Sequence, residues 1–298
     1  FRLSSMGFGG AERVFLSVAE VLTRTQGAKV HFVVDRLGRG ETEEIARQQG
    51  FRLFGLDSPR TMRSILPLKH YIDTYRPDVL ISAYTDTNMA ALISAKLARH
   101  RCLTIVTEHA SLDGHWRRAS WTRRLMLNAY VSIGYRLADH VLAVSRGIVS
   151  QITQRLKQPD KISCIHNPVR FAPPACGPVQ TRPDKPTILA VGRITHQKDY
   201  LNLLRAFGAV RARHDARLVI VGGVHEQGEK RQLDDYIQSN GLAGSVEFAG
   251  YTDNVETFYR EADLFVLSSV SEGFGNVLVE ALAFGQPVVS TNCAHVPA

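Results

Sequence analysis

The segment Ser271–Pro287, SEGFGNVLVEALAFGQP, constrains the fold of this chain more than any other feature. The apolar run before it, residues 264–267, is typical of a buried strand. A glycine-bearing loop follows, and the pattern from Asn276 onward predicts a helix. A strand that leads through such a loop into a helix presents free N–H groups and a positive dipole end to an anion, usually phosphate. Glu272 and Glu280 flank this loop and suit a phosphorylated ligand that also carries hydroxyls, which describes a nucleotide sugar.

This segment closely resembles the E-x7-E motif of retaining GT-B glycosyltransferases, in particular glycosyltransferase family 4. Two glutamates at this spacing are common in helices, whereas E-G-F-G-N-x-L-x-E-A-L-A-x-G-x-P-V-V is specific, because each position has a separate structural reason. The resemblance implies that Glu272 contacts the donor sugar and that Glu280 binds the nucleotide ribose. It also implies that the loop between them holds the diphosphate, through Phe274, Gly275, Asn276, Val277 and Leu278. The alternative is a generic doubly wound βα unit with solvated glutamates.

Apolar runs rich in β-branched residues alternate with helical patterns along the whole chain, which predicts an α/β architecture of parallel sheets covered by helices. The strands are predicted at residues 30–34, 79–82, 104–106, 140–144, 187–191, 217–221, 246–248, 264–267 and 287–290. Helices are predicted at residues 11–23 and 90–99.

A length of 298 residues favours two domains, and a proline-rich stretch divides the chain. We predict an N-terminal acceptor-side Rossmann-like domain at 1–172, a linker at 173–186 and a C-terminal nucleotide-sugar-binding Rossmann-like domain at 187–298. Ligands of open α/β sheets bind beyond the carboxyl ends of the strands, so the expected active site is the cleft that two such domains share. The first residues are too short for an opening strand, and the family continues beyond position 298. The expectation is therefore a GT-B chain without its N-terminal strand and C-terminal end.

Charge is unevenly distributed between the two halves. Residues 1–177 carry a net charge of +11 and residues 178–298 one of −3, which together give the +8 of the whole chain. This asymmetry indicates an anionic partner for the first half. Because no nucleic-acid-binding motif accompanies the charge, a membrane surface or a phosphate-bearing acceptor fits better than nucleic acid.

Two cations follow the strand predicted at 187–191. Arg193 and Lys198 lie five residues apart where that strand ends, so both can converge on one diphosphate, Arg as a planar fork and Lys as a point charge. They match the family's G-R-x4-K segment, and the resemblance makes both of them pyrophosphate ligands. The ordinary alternative is a pair of solvated cations.

Further candidates follow other predicted strands. Gly9 and Gly10 stand where the first strand should pass into the first helix, and a glycine-rich segment at this place in the family faces the donor diphosphate and the acceptor. A tight βα turn would need the same glycines. His109 follows a predicted strand and is similar to the family's histidine near the donor sugar, although a lone histidine is more often structural. Tyr251 is a candidate for contact with the base.

The segment 115–126 combines two tryptophans with four arginines. Such a mixture suits a membrane interface or an acceptor, and a solvated basic helix with buried tryptophan is an equal alternative. The candidate residues of this segment are Trp116, Arg117, Arg118, Trp121, Arg123 and Arg124.

The resemblance implies a retaining hexosyltransferase that uses a nucleotide sugar, UDP by family preference, and transfers the sugar to a lipid-linked or cell-surface glycan precursor. Arg193, Lys198, Glu272 and His109 are the candidate catalytic residues. No cofactor is expected, and no metal ion is expected to be required. Two alternatives stay open: a GT-B nucleotide-sugar epimerase, and an inactive nucleotide-sugar-binding homologue.

The four cysteines are scattered, without metal-ligand spacing, which favours reduced thiols in the cytoplasm. We therefore expect a cytoplasmic protein. Because its first half is basic and contains the tryptophan-arginine segment, we also expect it to bind peripherally to the inner face of the membrane.

Overall fold

The computed structural model describes residues 1–7, 9–38, 40–116, 119–169, 171 and 185–293. The chain divides into two compact units, of which the first comprises Phe1–Pro168 and the second begins at Val169. Nearly all of the linker predicted at 173–186 lies outside the described residues. Each unit contains parallel β-strands covered by helices, so the predicted α/β class is confirmed.

The first unit contains parallel strands in two groups. The pair β1-β2 forms one group, and β3, β4, β5 and β6 follow each other in the second. The strands are β1 (His31–Val34), β2 (Arg52–Gly55), β3 (Val79–Ala83), β4 (Leu103–Glu108), β5 (His140–Ala143) and β6 (Ile162–Cys164). The helices are α1 (Gly10–Gln26), α2 (Glu41–Gln48), α3 (Ile65–Tyr75), α4 (Thr85–Leu97), α5 (Leu112–Trp116), α6 (Trp121–Ser132) and α7 (Arg146–Leu156).

The first residues of the chain join these two groups of strands. Arg2 forms parallel bridges with both Val33 of β1 and Ser82 of β3. Its N–H donates to the Ile81 carbonyl at 2.7 Å, and the N–H of Leu3 donates to the Val33 carbonyl at 3.0 Å. The strand order is therefore β2-β1-(1–4)-β3-β4-β5-β6, which has the crossover of a doubly wound Rossmann-like sheet.

Helix α1 shows how the pattern of apolar residues fixes an element. Ala11, Phe15, Leu16 and Ala19 recur at helical spacing and are all buried on one face. The helix ends at Gly27, whose φ of 64° is the left-handed conformation that glycine adopts at little cost. Its N–H donates to the Thr23 carbonyl at 3.1 Å, which satisfies one of the last free carbonyls of the helix.

The second unit contains one parallel sheet in the order β11-β10-β7-β8-β9. Its strands are β7 (Thr187–Val191), β8 (Arg217–Val221), β9 (Val246–Gly250), β10 (Leu264–Leu267) and β11 (Val288–Ser290). Its helices are α8 (Tyr200–Arg211), α9 (Gln227–Ser239), α10 (Val255–Glu261) and α11 (Asn276–Ala283).

Helices cover both faces of this sheet, because successive side chains of a strand point to opposite sides. In β7, Ile188 and Ala190 pack with residues of α8 and α9. Leu189, between them, packs on the other face with residues of α10 and α11. The unbroken apolar strands of the sequence are explained by this burial on two sides.

Two glycines allow the loops after β7 and β8 to cross closely. A Cβ atom at Gly222 would lie 2.0 Å from the carbonyl oxygen of Gly192, so no other residue fits there without a backbone shift. The Gly192 N–H also donates to the Val221 carbonyl at 2.8 Å. This contact fixes the loop that carries Arg193 and Lys198 at the carboxyl edge of the sheet.

Candidate functional site

Lys198 and Glu272 form an ion pair at the carboxyl edge of the second sheet. The Lys198 Nζ donates to the Glu272 Oε1 at 2.7 Å, and the two side chains are only 16% and 11% exposed. Ser269 Oγ donates to the same oxygen at 2.7 Å. Glu272 Oε2 accepts no hydrogen bond from the residues that the structure describes, so one oxygen of this carboxylate is held and the other is available.

The sheet topology brings these two residues together although 74 positions separate them. β7 and β10 are neighbours, so the loops that follow them lie side by side. Ser268 Oγ donates to the Lys198 carbonyl at 2.7 Å, and the Val270 N–H donates to the Gln197 carbonyl at 2.9 Å. These bonds fix both loops, and with them the ion pair.

Close packing holds the Lys198 side chain in place. A Cβ atom at Gly192 would lie 2.6 Å from Lys198 Cε, so the lysine stem occupies the space that the glycine leaves. The hydroxyl of buried Tyr200 donates to the Gly192 carbonyl at 2.9 Å. Burial and the charge of Glu272 raise the pKa of this hydroxyl, which therefore remains a donor.

Arg193 is placed differently from Lys198. It is exposed and has no ion-pair or hydrogen-bond partner within the described parts of the chain. The predicted pair of cations is therefore one lysine fixed by Glu272 and one arginine that projects from the same loop.

Helix α11 begins directly after the glycine-bearing loop, as the sequence predicts. Gly275 precedes it with a φ of 82°, and no side chain caps the helix start. The N–H groups of Leu278 and Val279 donate back to the Gly275 carbonyl, at 2.9 and 3.4 Å. The first turn of a helix concentrates positive charge at its N-terminus, which is an anion-binding arrangement.

Glu280 lies one turn further along α11. Tyr259, a fully buried residue of α10, donates its hydroxyl to Glu280 Oε2 at 2.9 Å. Tyr259 is a supporting residue that sequence reasoning missed, because nothing local to it indicates a partner on another helix. Of the remaining predicted residues here, Phe274 is buried, whereas Tyr251 is 49% exposed and donates its hydroxyl to Asp253 at 2.7 Å.

In the first unit, Gly9 makes room for a carboxylate. It precedes α1, and a Cβ atom there would lie 2.0 Å from Glu12 Oε2. Gly10 is the first residue of α1. The Glu12 side chain thus occupies the N-terminal end of this helix, where negative charge is stabilised. A residue with a Cβ atom at position 9 would therefore displace the Glu12 carboxylate from its place at the start of α1.

The contacts of His109 determine which of its nitrogens carries the proton. Thr107 donates its single hydroxyl proton to the Ser82 carbonyl at 2.8 Å, so its 3.0 Å contact with His109 Nε2 makes that nitrogen the donor. Nδ1 is then an acceptor, and it is buried without a partner among the described residues. Burial lowers the pKa of His109 to about 4, so the ring is neutral at pH 7.

Glu108, the preceding residue, has its own polar network, which sequence reasoning missed. Thr85 and Asn88 donate to Glu108 Oε1 at 2.9 and 3.4 Å, and the Tyr135 hydroxyl donates to the same oxygen. Burial raises the pKa of Glu108 to about 7. Oε2 accepts no hydrogen bond from the described residues, so this carboxyl too is held through one oxygen.

The tryptophan-arginine segment separates into two environments. Trp116 is 3% exposed, with the Arg155 guanidinium 5.4 Å from the centre of its ring, so its burial excludes a place at the membrane interface. Trp121 is 73% exposed at the start of α6. Arg123 pairs with Asp86, and Arg124 is exposed. Arg117 and Arg118 lie outside the described residues.

Within the described residues, no group of three or more His, Cys, Asp or Glu side chains is arranged to hold a metal ion. None of the described helices combines the length and the apolar composition needed to cross a membrane.

Known proteins resemble the chain over both units. A lipopolysaccharide core biosynthesis glycosyltransferase, LpsE of Rhizobium meliloti, is 27% identical over 293 residues, which cover 95% of this chain and 76% of that protein. An uncharacterized glycosyltransferase of Methanocaldococcus jannaschii, MJ1607, is 41% identical over 109 residues, which cover 36% of this chain and only 27% of that protein. Among solved structures, Anabaena Alr3699/HepE in complex with UDP and glucose has a TM-score of 0.79 at 18% identity, over 98% of this chain and 80% of that one. This likeness shows the predicted GT-B fold.

Two family models match the chain. Residues 8–172 match the model described as Glycosyltransferase Family 4, and residues 178–298 match the model described as Glycosyl transferases group 1. The family 4 model alone matches more than half of the chain, so the chain belongs to the family 4 glycosyltransferases. Its second unit carries the glycosyl transferases group 1 domain.

Proposed function

We propose that this glycosyltransferase is a retaining hexosyltransferase that uses a UDP-sugar and acts on a lipid-linked or cell-surface glycan precursor. The observation that carries the proposal is the Lys198–Glu272 ion pair, in which Glu272 lies four residues before the anion-binding start of α11. The relatives support its finer parts, since LpsE is named for lipopolysaccharide core biosynthesis and HepE binds UDP and glucose.

The roles of the second-unit residues follow from their charge and position. The bond between the anomeric carbon and the diphosphate breaks, and negative charge develops on the leaving oxygen. Lys198, Arg193 and the N-terminus of α11 stabilise that charge through fixed positive potential, so the proposed reaction requires no metal ion. The acceptor hydroxyl forms the new bond on the same face of the sugar and gives its proton to the departing phosphate oxygen.

Carboxylates and a neutral histidine hold the sugars in this scheme. Glu272 Oε2 accepts a hydroxyl of the donor sugar, while Oε1 stays with Lys198. Glu280, oriented by Tyr259, accepts the ribose hydroxyls. His109 contributes a neutral ring on the sugar side of the site in this scheme.

A thermal-shift screen against UDP, GDP, ADP and their sugar conjugates tests the donor site. Binding to the folded state raises the melting temperature by mass action, and we expect the largest shift with UDP or a UDP-sugar. Glu280→Ala should abolish the shift, because the variant loses the acceptor that binds the ribose. The matched control is Glu247→Ala, which removes an exposed glutamate of β9 and should retain the shift.

The outcome also distinguishes the alternative functions. Turnover of the donor to an epimer without added acceptor would favour an epimerase. Binding of UDP without any transfer would favour an inactive homologue. A UDP shift that survives in Glu280→Ala would contradict the proposed donor site.

The membrane surface of the first unit is proposed to be α6 and the turn that follows it. Large apolar side chains are exposed there beside basic ones, which suits the interface of an anionic bilayer. The exposed apolar residues are Trp121, Leu125, Ile133 and Leu137, and Arg124 and Arg136 are exposed beside them.

Co-sedimentation with vesicles tests this surface. We expect binding to vesicles that contain phosphatidylglycerol, weakened by salt because surface charges are screened. Trp121→Ser combined with Leu125→Ser should reduce the bound fraction about tenfold or more, since each buried side chain contributes about 1.5 to 3 kcal/mol. Leu66→Ser is the control, because Leu66 is 69% exposed on α3. Equal loss in the control, or no loss in the double variant, would contradict this surface.

A further inference from the structure

A cavity of about 140 Å³ lies in the first unit, where β3 and β4 end. Tyr84, Thr85 and Asp86 follow β3, and Glu108 is the last residue of β4. The wall opposite comes from α5 and α6, through Leu112, Trp116, Arg123 and Leu127. The carboxyl edge of a parallel sheet is where open α/β folds bind their ligands.

Two carboxyl groups line this cavity, and in each of them one oxygen accepts no hydrogen bond from the described residues. Asp86 pairs with Arg123 through Oδ2, while Asp86 Oδ1 is buried and accepts no hydrogen bond from the described residues. Glu108 uses only Oε1 for Thr85, Asn88 and Tyr135, which leaves Oε2. An unpaired acceptor of this kind is costly in an empty protein, and a ligand that brings hydroxyl donors would satisfy it.

The charge of the lining indicates which ligands it excludes. Among the described residues that line the cavity, the two carboxyl groups face a single cation, Arg123, which Asp86 already engages. Such a cavity repels phosphate, although the unit as a whole is strongly basic. The Trp116 indole and the Leu112 and Leu127 side chains add an apolar wall, the surface that the C–H face of a sugar ring packs against.

The backbone at the cavity is also unusual. Tyr84 has a φ of 71°, a conformation that a bulky residue rarely adopts. Strained residues of this kind concentrate at binding sites, where the surrounding structure holds them in place. The strain falls at the junction of β3 and α4, directly beside Thr85 and Asp86.

We propose that this cavity binds an uncharged, hydroxyl-bearing sugar ring, with Trp116 as its wall and Glu108 Oε2 as the acceptor of one of its hydroxyls. That this ring belongs to the acceptor rests on the proposed function. The basic residues elsewhere in the unit then serve the membrane or a phosphate further along the acceptor, and the described lining that the ring meets carries no net positive charge.

Tryptophan fluorescence tests the site directly, because the chain has only two tryptophans. Trp121→Phe removes the exposed one and leaves Trp116 as the reporter on the cavity wall. This protein is titrated with glucose, galactose and N-acetylglucosamine, and with glucose 6-phosphate and inorganic phosphate as charged probes. We expect a saturable change in Trp116 emission with at least one neutral sugar, and binding of the charged probes about tenfold weaker or absent.

A conservative variant separates binding from folding. Glu108→Gln keeps an oxygen for Thr85, Asn88 and Tyr135 and replaces only the atom that faces the cavity. We expect about tenfold weaker sugar binding, because the NH2 group that replaces Oε2 cannot accept a hydrogen bond from a sugar hydroxyl. Glu44→Gln, a change at an exposed glutamate of α2, is the matched control and should bind as the parent protein does.

Two outcomes would overturn the inference. One is that no neutral sugar changes Trp116 emission, and the other is that glucose 6-phosphate binds as tightly as glucose. The failure of the proposed function is recognised separately, by the absence of a UDP-induced thermal shift in the same protein. Retention of that shift in Glu108→Gln, together with loss of sugar binding, would place the defect in the first unit alone.

Discussion

Replacing Lys198 by methionine is expected to lower the kcat of donor turnover about a hundredfold or more. Methionine keeps the unbranched stem that fills the space beside Gly192, and it removes the charge that faces the leaving diphosphate. The loss should therefore appear in kcat, because this charge matters most when the bond to the diphosphate breaks. The measurement is the release of UDP from a UDP-sugar in the presence of acceptor.

Two further variants give this prediction its controls. Lys230 lies in the same unit and pairs with Asp234 within α9, so Lys230→Met should retain activity within about twofold. Glu272→Gln removes both the charge that positions Lys198 and the carboxylate that binds the donor sugar, so combining it with Lys198→Met should cost less than the sum of the two single effects. Unchanged kcat in Lys198→Met would contradict the role of this lysine in leaving-group stabilisation.

The stability of the first unit is expected to hide two opposite pH dependences, one from Glu108 and one from His109. The pKa of Glu108 is raised from 4.5 to about 7, so its contribution to stability is complete below pH 4.5 and is lost as pH rises through 7. The pKa of His109 is lowered from 6.5 to about 4, so its contribution is complete above pH 6.5 and is lost as pH falls through 4. Between about pH 5 and pH 7, the loss of the Glu108 contribution to stability and the gain of the His109 contribution largely cancel.

Single variants should separate the two contributions. In Glu108→Gln, the free energy of unfolding should rise with pH relative to the parent protein, by about 2 kcal/mol between about pH 5 and pH 7. In His109→Gln it should fall by a similar amount over the same interval. Urea denaturation at both pH values measures this. Asp86, Arg123 and Tyr135 also face Glu108 and are retained in both variants, so parallel pH profiles of the two would contradict the assignment.

The sequence predicts central strands better than edge strands, for a physical reason. The bounds of β7, β8 and β10 agree with the predicted ranges 187–191, 217–221 and 264–267, because strands buried on both faces are continuous apolar runs. The short strands β2 and β6 were missed. Both lie at the edge of the first sheet and are partly exposed, so their composition resembles that of loops.

The candidate site shows a similar division. A local motif, through its resemblance to the family, was sufficient to select Lys198 and Glu272, and the structure brings the two into direct contact. It could not reveal Tyr259 or the network around Glu108, because those contacts join elements far apart in sequence. It also could not distinguish Trp116 from Trp121. Trp116 ends α5 and is buried, whereas Trp121 begins a separate helix, α6, and is exposed.

The carboxylates of Glu272 and Glu108 are each held by hydrogen bonds to one oxygen, Oε1, before a ligand binds. Their rotamer entropy is therefore lost during folding, so a ligand that binds to the second oxygen has no side chain left to immobilise. A rigid acceptor also has a fixed direction, and a hydroxyl with the wrong stereochemistry at one carbon cannot turn the carboxylate to meet it. Selectivity between epimeric sugars should then come mainly from these two oxygens, and loosening their anchors, Ser269 or Tyr135, should broaden the range of sugars accepted before it weakens binding of the best one.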